Sequence, residues 1–286
     1  MGPLRARSFN SGRAMIRCVC RHRFVFALFV ALVAAPVPQA FAAPDPPDRA
    51  GIAIEQGELE SISGCRNSYT LYRPPRPTTG LTALIVPGFM RDRDRMRGWA
   101  DEIAGRGMAV VTMDFCQPTA FDGRHAENAR DMIAVRTALG VDRVVYVGHS
   151  AGGLASLLAA ADDAAARGMV LLDPVDFGDL AEDAAVRATV PALVLLAKPG
   201  VCNLRRNIRH ALPRLAQATT VSIDAATHCD FEWPSDRLCR AACDFGGPAR
   251  EQRIESEQRI RALVLDFLDT LRAVADDERP PVAVGR

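Results

Sequence analysis

Short apolar runs alternate with amphipathic stretches along most of this chain, and that alternation sets its elements. Clusters of aliphatic and β-branched residues predict strands over Tyr69–Tyr72, Leu81–Val86, Met108–Met113, Val144–Val147, Met169–Leu172, Ala192–Ala197 and Thr220–Ile223. Between them, apolar positions recur at helical spacing. The predicted helices are Asp94–Gly105 (Met96, Trp99 and Ile103 on one face), Ala126–Leu139, Ala151–Ala161, a piece near Arg205–Leu215, and Glu251–Ala275. In the last, Ile260, Val264, Phe267, Leu268 and Leu271 form a core-facing stripe. Strands that are apolar almost throughout belong in a sheet covered on both faces, and alternation with helices makes such a sheet mostly parallel. The expected fold class is therefore α/β, a mostly parallel central sheet with helices on both faces. No internal repeat interrupts the pattern.

The chain ends refine the domain division. Residues 1–23 carry Arg5, Arg7, Arg13, Arg17, Arg21 and Arg23 with no acidic side chain. Phe24–Ala35 is unbroken apolar sequence, and Ala40-Phe41-Ala42 offers small residues at cleavage spacing. This is the pattern of a cleavable export signal over 1–42; the apolar run is too short for a membrane span. The basic region is long, so translation starting at Met15 is the competing reading, and an uncleaved N-terminal anchor is the other. A single domain over 43–277 follows, and the proline- and charge-rich 278–286 reads as a frayed tail.

Export changes the meaning of the cysteines. Of eight, Cys18 and Cys20 leave with the signal, and Cys65, Cys116, Cys202, Cys229, Cys239 and Cys243 remain. An even set in an oxidising compartment predicts three disulfides. The expected pairing is Cys65 with Cys116, Cys202 with Cys229, and Cys239 with Cys243. A metal is not expected, because no second Cys/His pair completes a tetrahedral site around Cys239 and Cys243. The net charge of +1, with acidic and basic residues interleaved, gives no basic block beyond the leader and argues against nucleic acid.

The chemistry concentrates in Val144–Gly153, V-V-Y-V-G-H-S-A-G-G. A buried strand stops at Gly148, Ser150 occupies the apex of a tight turn, and a helix starts at once. Glycines two residues to either side of the serine are required sterically, since a Cβ there would clash as strand and helix close together. The helix start aims free N–H groups and a positive dipole end at any oxyanion formed at Ser150. Ser150 is thus the candidate nucleophile. It needs a base, and an acid to orient the base. His149 cannot readily fold back onto its neighbour, while His125 and His210 lie in polar, arginine-containing stretches. His228 directly follows the last strand, in A-A-T-H-C-D-F, where a base would project over the sheet. For the acid, no carboxylate follows Ala192–Ala197, but the preceding strand ends L-L-D-P-V-D-F-G-D. Asp173 sits at the strand lip, the more rigid position; Asp176 and Asp179 lie beyond Pro174 and suit turns or helix caps, with Asp176 the alternative acid. The irregular segment Cys229–Gly247, beside the base, offers Phe231 and Trp233 as candidate pocket walls. The competing reading is that they pack the segment's own small core.

G-H-S-A-G-G, L-D-P-V-D and T-H-C-D-F, in that order, resemble the α/β-hydrolase superfamily. Within it the chain is similar to the chlorophyllase and platelet-activating-factor acetylhydrolase-like branch, whose acid follows the strand after the elbow helix. The resemblance implies that Ser150, Asp173 and His228 are nucleophile, acid and base. It also implies that P-G-F-M after Leu81–Val86 corresponds to the family's H-G-x loop, with the Phe89 and Ala151 backbone N–H groups as oxyanion donors. Pro87 replaces the histidine of that loop. Plant chlorophyllases carry arginine where Ala151 stands, and chlorophyll is not carried over as substrate. The activity so implied is that of an exported serine ester hydrolase without cofactor, with no large lid between Asp173 and Pro191. Acyl transfer on the same residues and a catalytically inactive binding protein are the alternatives. The expected partners are a small-molecule or lipid ester, no nucleic acid and no second subunit, with no stable membrane span in the mature chain.

Overall fold

The aliphatic runs form the inner strands of an eight-stranded sheet in the order β1-β2-β4-β3-β5-β6-β7-β8. The computed structural model describes residues 51–61, 64–78, 80–116, 124–244 and 247–277, so the expected signal, the tail 278–286 and Phe245 lie outside the described residues. The strands are β1 (Ala53–Glu60), β2 (Arg66–Arg73), β3 (Thr82–Val86), β4 (Ala109–Met113), β5 (Val144–His149), β6 (Ala166–Leu172), β7 (Ala192–Ala197) and β8 (Ala218–Ile223). β1 pairs antiparallel with β2, β2 antiparallel with β4, and all remaining pairings are parallel. The helices are α1 (Arg97–Gly105), α2 (His125–Ala138), α3 (Ala151–Asp162), α4 (Ala181–Arg187), α5 (Arg237–Cys243) and α6 (Arg250–Asp277). None of the described helices is long and apolar enough to cross a membrane.

Strand periodicity divides the core into two layers. Leu84, Tyr146, Leu171 and Val194 face one cluster, covered by Met132 and Val135 of α2, Leu154 and Leu157 of α3, and Ala184 of α4. Their neighbours Ile85, Val145, Val170 and Leu195 face the other, covered by Trp99 and Ile103 of α1 and by Ile260, Val264 and Leu268 of α6. Successive strand residues point to opposite faces, so an apolar strand serves two helical layers at once. One polar tie crosses the first layer. Asp163 accepts from both Nη2 and Nε of Arg136 at 2.7 and 2.8 Å, and from the buried Tyr146 hydroxyl at 2.6 Å.

The structure departs from the pattern in several places. β1 was not predicted: A-I-E-Q-G-E-L-E is mostly exposed on the sheet edge, and charge rather than apolar alternation marks it. Arg66 and Glu58 pair across it at 2.9 Å. Before α1, Arg93–Met96 form a 3-10 turn. The stretch expected to be helical near Arg205–Leu215 is two 3-10 turns, Asn207–His210 and Leu212–Arg214, because Pro213 cannot extend a helix. α4 and α5 are each only seven residues, too short for a periodic signal. The bridges are also redistributed. Cys65–Cys116 forms as expected, but Cys202 pairs with Cys243 and Cys229 with Cys239 (Cα–Cα 5.5 and 5.9 Å). Cys239 and Cys243 stand one turn apart on α5, where Cβ atoms are about 5–6 Å apart and a bridge wants about 3.8 Å, so each reaches outward instead.

Candidate active site

Ser150 stands between β5 and α3 with φ 55° and ψ −120°, a left-handed backbone that few side chains adopt. The flanking glycines have a visible cause. A Cβ on Gly148 would lie 2.0 Å from the Gly152 carbonyl oxygen, and one on Gly152 would lie 2.3 Å from that of Pro87. The Ser150 side chain makes no capping bond to its own helix. Ala151 is the first residue of α3, so its N–H has no carbonyl within the helix to meet. The turn Gly88–Arg91 after β3 passes directly over the serine: a Cβ on Gly88 would lie 3.0 Å from Ser150 Cβ. Phe89 is next in that turn.

Asp173, fully buried at the end of β6, receives the His228 ring. His228 Nδ1 donates to Asp173 Oδ2 at 2.6 Å. Because a carboxylate only accepts, Nδ1 carries the proton and Nε2 keeps a lone pair for a further proton. Two more donors hold the carboxylate: the Ala197 N–H at 2.9 Å and Asn203 Nδ2 at 3.0 Å. Asp176 does something else. Its carboxylate accepts the N–H groups of Leu180 and Ala181 at 3.1 and 3.2 Å where α4 begins. His228 itself begins the 3-10 turn His228–Phe231, whose capping box joins Asp230 to the backbone and hydroxyl of Thr227 at 2.7 and 2.9 Å.

Around this pair sits a buried polar group that the sequence did not single out. Glu232, one residue past the turn, binds Arg91 through both carboxylate oxygens at 2.6 and 2.7 Å. Arg91 also reaches Asp236 at 2.8 Å. Burial pushes the Glu232 carboxyl above its usual range, against the pull of Arg91. Burial disfavours the Arg91 guanidinium too, but its bonds to Glu232 and Asp236 prevail and hold its pKa above the ordinary value. His149 is buried beside them, and desolvation followed by the nearby His228 drives its pKa well below the usual imidazole range. Burial thus favours the neutral form of His149. No sequence signal pointed to Asn203 except the lack of a carboxylate after β7.

The two aromatic candidates occupy packing positions. Phe231 is fully buried in the core layer of α1 and α6, and its carbonyl accepts from Trp99 Nε1 at 2.9 Å. Trp233 meets Trp99 edge to face at 5.7 Å and lies under the Arg261 guanidinium at 4.1 Å. Of possible metal ligands, the sulfurs of Cys229, Cys239 and Cys243 lie within 4.8 Å of one another, but each is already bonded to another sulfur.

Comparison with known proteins agrees with this architecture. A family pattern described as "alpha/beta hydrolase fold" matches residues 84–196. A putative dienelactone hydrolase from Klebsiella pneumoniae superposes with TM-score 0.54 at 16% identity, covering 74% of this chain and 98% of its own. A dienelactone hydrolase-like promiscuous phosphotriesterase from metagenomic libraries gives 0.58 at 14% identity, covering 77% and 99%. An esterase from Pyrococcus furiosus gives 0.53 at 11% identity, covering 65% and 88%. The fold is that of the α/β hydrolases. No curated protein sequence matches the chain. In the α/β-hydrolase fold, residues at the carboxyl ends of the strands lie where ligands bind, and Ser150, Asp173 and His228 follow β5, β6 and β8.

Proposed function

We propose that this chain is an exported serine ester hydrolase in which Ser150 is the nucleophile, His228 the base and Asp173 the acid. The observation carrying the reading is the 2.6 Å bond from His228 Nδ1 to Asp173, made beside a serine in a left-handed turn. Ser150 Oγ attacks the ester carbonyl carbon while His228 Nε2 takes its proton. The resulting oxyanion is met by the N–H groups of Ala151 and Phe89. His228 returns the proton to the departing alkoxide, leaving an acyl-serine. Water, deprotonated by the same imidazole, then releases the acid and restores Ser150. Asp173 stays ionised throughout, holding the imidazole tautomer and stabilising the imidazolium. An acid following β6 rather than β7 supports a likeness to the chlorophyllase-like branch. The basic and apolar pattern of residues 1–42 and three cystines support export.

The test is hydrolysis of nitrophenyl esters of graded acyl length together with fluorophosphonate labelling. The expected result is one label, on Ser150, and loss of both signals in Ser150→Ala, down to a residual about 10³–10⁴-fold over water. Turnover or labelling that survives this substitution unchanged overturns the reading.

A further inference from the structure

His149 fills the variable position of the elbow, and the reaction above gives it no task. Yet it is buried, and a buried imidazole costs free energy unless its polar atoms are used. One of them is. His149 Nε2 lies 2.9 Å from the backbone carbonyl oxygen of His228. A carbonyl only accepts, so Nε2 carries the proton and donates it. The two rings pack at 4.5 Å between centroids, and His149 also stacks with Phe231 at 6.4 Å. Nδ1 is left without a hydrogen-bond partner, facing Glu232 Oε1 at 3.9 Å.

We propose that His149 is a positioning residue for the base: its Nε2–H fixes the main chain of His228 while Asp173 fixes the ring. The proposal rests on the serine hydrolase reading and deepens it. A base held by its Nδ1 bond alone can pivot about that bond. Here the second anchor comes from the residue covalently next to the nucleophile, so the tip of β5 carries both Ser150 and the contact that sets where His228 stands. The Glu232–Arg91 pair also joins the base-bearing segment to the turn that crosses Ser150. Nucleophile, base and oxyanion turn are thereby referenced to one point. A phenylalanine at position 149 would keep the stacking and lose the bond, which separates positioning from packing.

The experiment measures kcat, KM and fluorophosphonate labelling rate for wild type, His149→Phe, His149→Gln and His228→Ala, with kcat expressed per labelled active site so that misfolded protein does not count. His149→Gln retains a donor at nearly the same reach. For His149→Phe the expected result is a kcat about 10²-fold lower with KM within about twofold, the size of effect a misplacement near 1 Å produces. Its labelling rate should fall in parallel. His149→Gln should recover most of the loss. Full kcat per labelled site in His149→Phe overturns the proposal, and so does an equal loss in His149→Phe and His149→Gln. If instead the wild type is not labelled at Ser150, or His228→Ala keeps full rate, the hydrolase reading has failed, and that outcome is distinct from the others.

Discussion

Ser150 and Asp173 end neighbouring parallel strands, and both hold left-handed backbone, φ 55° and 43°, although neither is glycine. They are laced together as well: the Ser150 N–H donates to the Leu172 carbonyl at 2.9 Å, and the Val175 N–H returns to the Ser150 carbonyl at 3.3 Å. Such conformations cost about 1–3 kcal/mol each and persist where the surroundings over-determine them. Here they turn the Ser150 and Asp173 side chains out of adjacent strand tips.

Asp173→Asn tests that arrangement directly. Asparagine tolerates positive φ and keeps the shape but gives up one of the two acceptor oxygens, so the melting temperature should fall modestly while kcat falls by about 10⁴. Asp176→Ala removes the acceptor for two N–H groups at the start of α4. It should cost about 0.5–2 kcal/mol of stability with kcat per active site unchanged. Steady-state kinetics and thermal melts on the two variants give the comparison; the reverse pattern would transfer the acid role to Asp176.

Trp233→Ala should act through stability. The ring packs between Trp99 and Arg261, and truncation should cost about 3 kcal/mol, at the low end for a large aromatic. Rates on short and long acyl esters should then change by one common factor. A chain-length ratio that shifts in this variant would instead put the ring on a pocket wall.

Asp163 should make the fold sensitive to acid. Burial alone would raise its pKa, but hydrogen bonds from Arg136, Tyr146 and the Ala165 N–H prevail and hold it below the ordinary carboxylate range. A depressed folded-state value means the contribution is complete above the unfolded pKa of about 3.9 and is lost as pH falls through the lower folded value. Urea unfolding of wild type and Asp163→Asn should show a stability gap near pH 7 that narrows toward pH ~3. A gap constant with pH would assign the loss to shape rather than charge.

Peptide mapping without reduction should recover Cys65–Cys116, Cys202–Cys243 and Cys229–Cys239. Cys202→Ser with Cys243→Ser should lower stability by about 2–4 kcal/mol. Recovery of a Cys202–Cys229 peptide, or of free thiols in protein isolated under oxidising conditions, contradicts this connectivity.

The inner strands were legible because each is apolar on both faces, and the elbow was legible because sterics demand its glycines. Asp173 and His228 could be placed at strand ends, and there they meet. What stayed hidden was held by something other than periodicity. β1 is an edge strand with little to bury, and α5 is fixed by an Asp236 cap and two cystines rather than an apolar face. The Arg91–Glu232 pair joins residues 141 positions apart, which no local pattern records. His149 could be seen in the motif, but its partner is a backbone oxygen, and backbone oxygens leave no mark on a sequence.

All six bridged cysteines lie beyond the carboxyl ends of the parallel strands, or beside them where β2 runs the other way. Among the described residues, the molecule is therefore riveted at one pole only. The opposite pole, where β5, β6 and β7 begin, is joined by short turns such as Gly140–Asp142, with no covalent stitch among the described residues. Gly140 is exposed there, and a side chain at it would meet nothing. Fraying and protease nicks should start from that pole, and a tag or display peptide spliced in at Gly140 would sit a strand's length, about 17–20 Å, from the strand ends that carry Ser150 and Asp173.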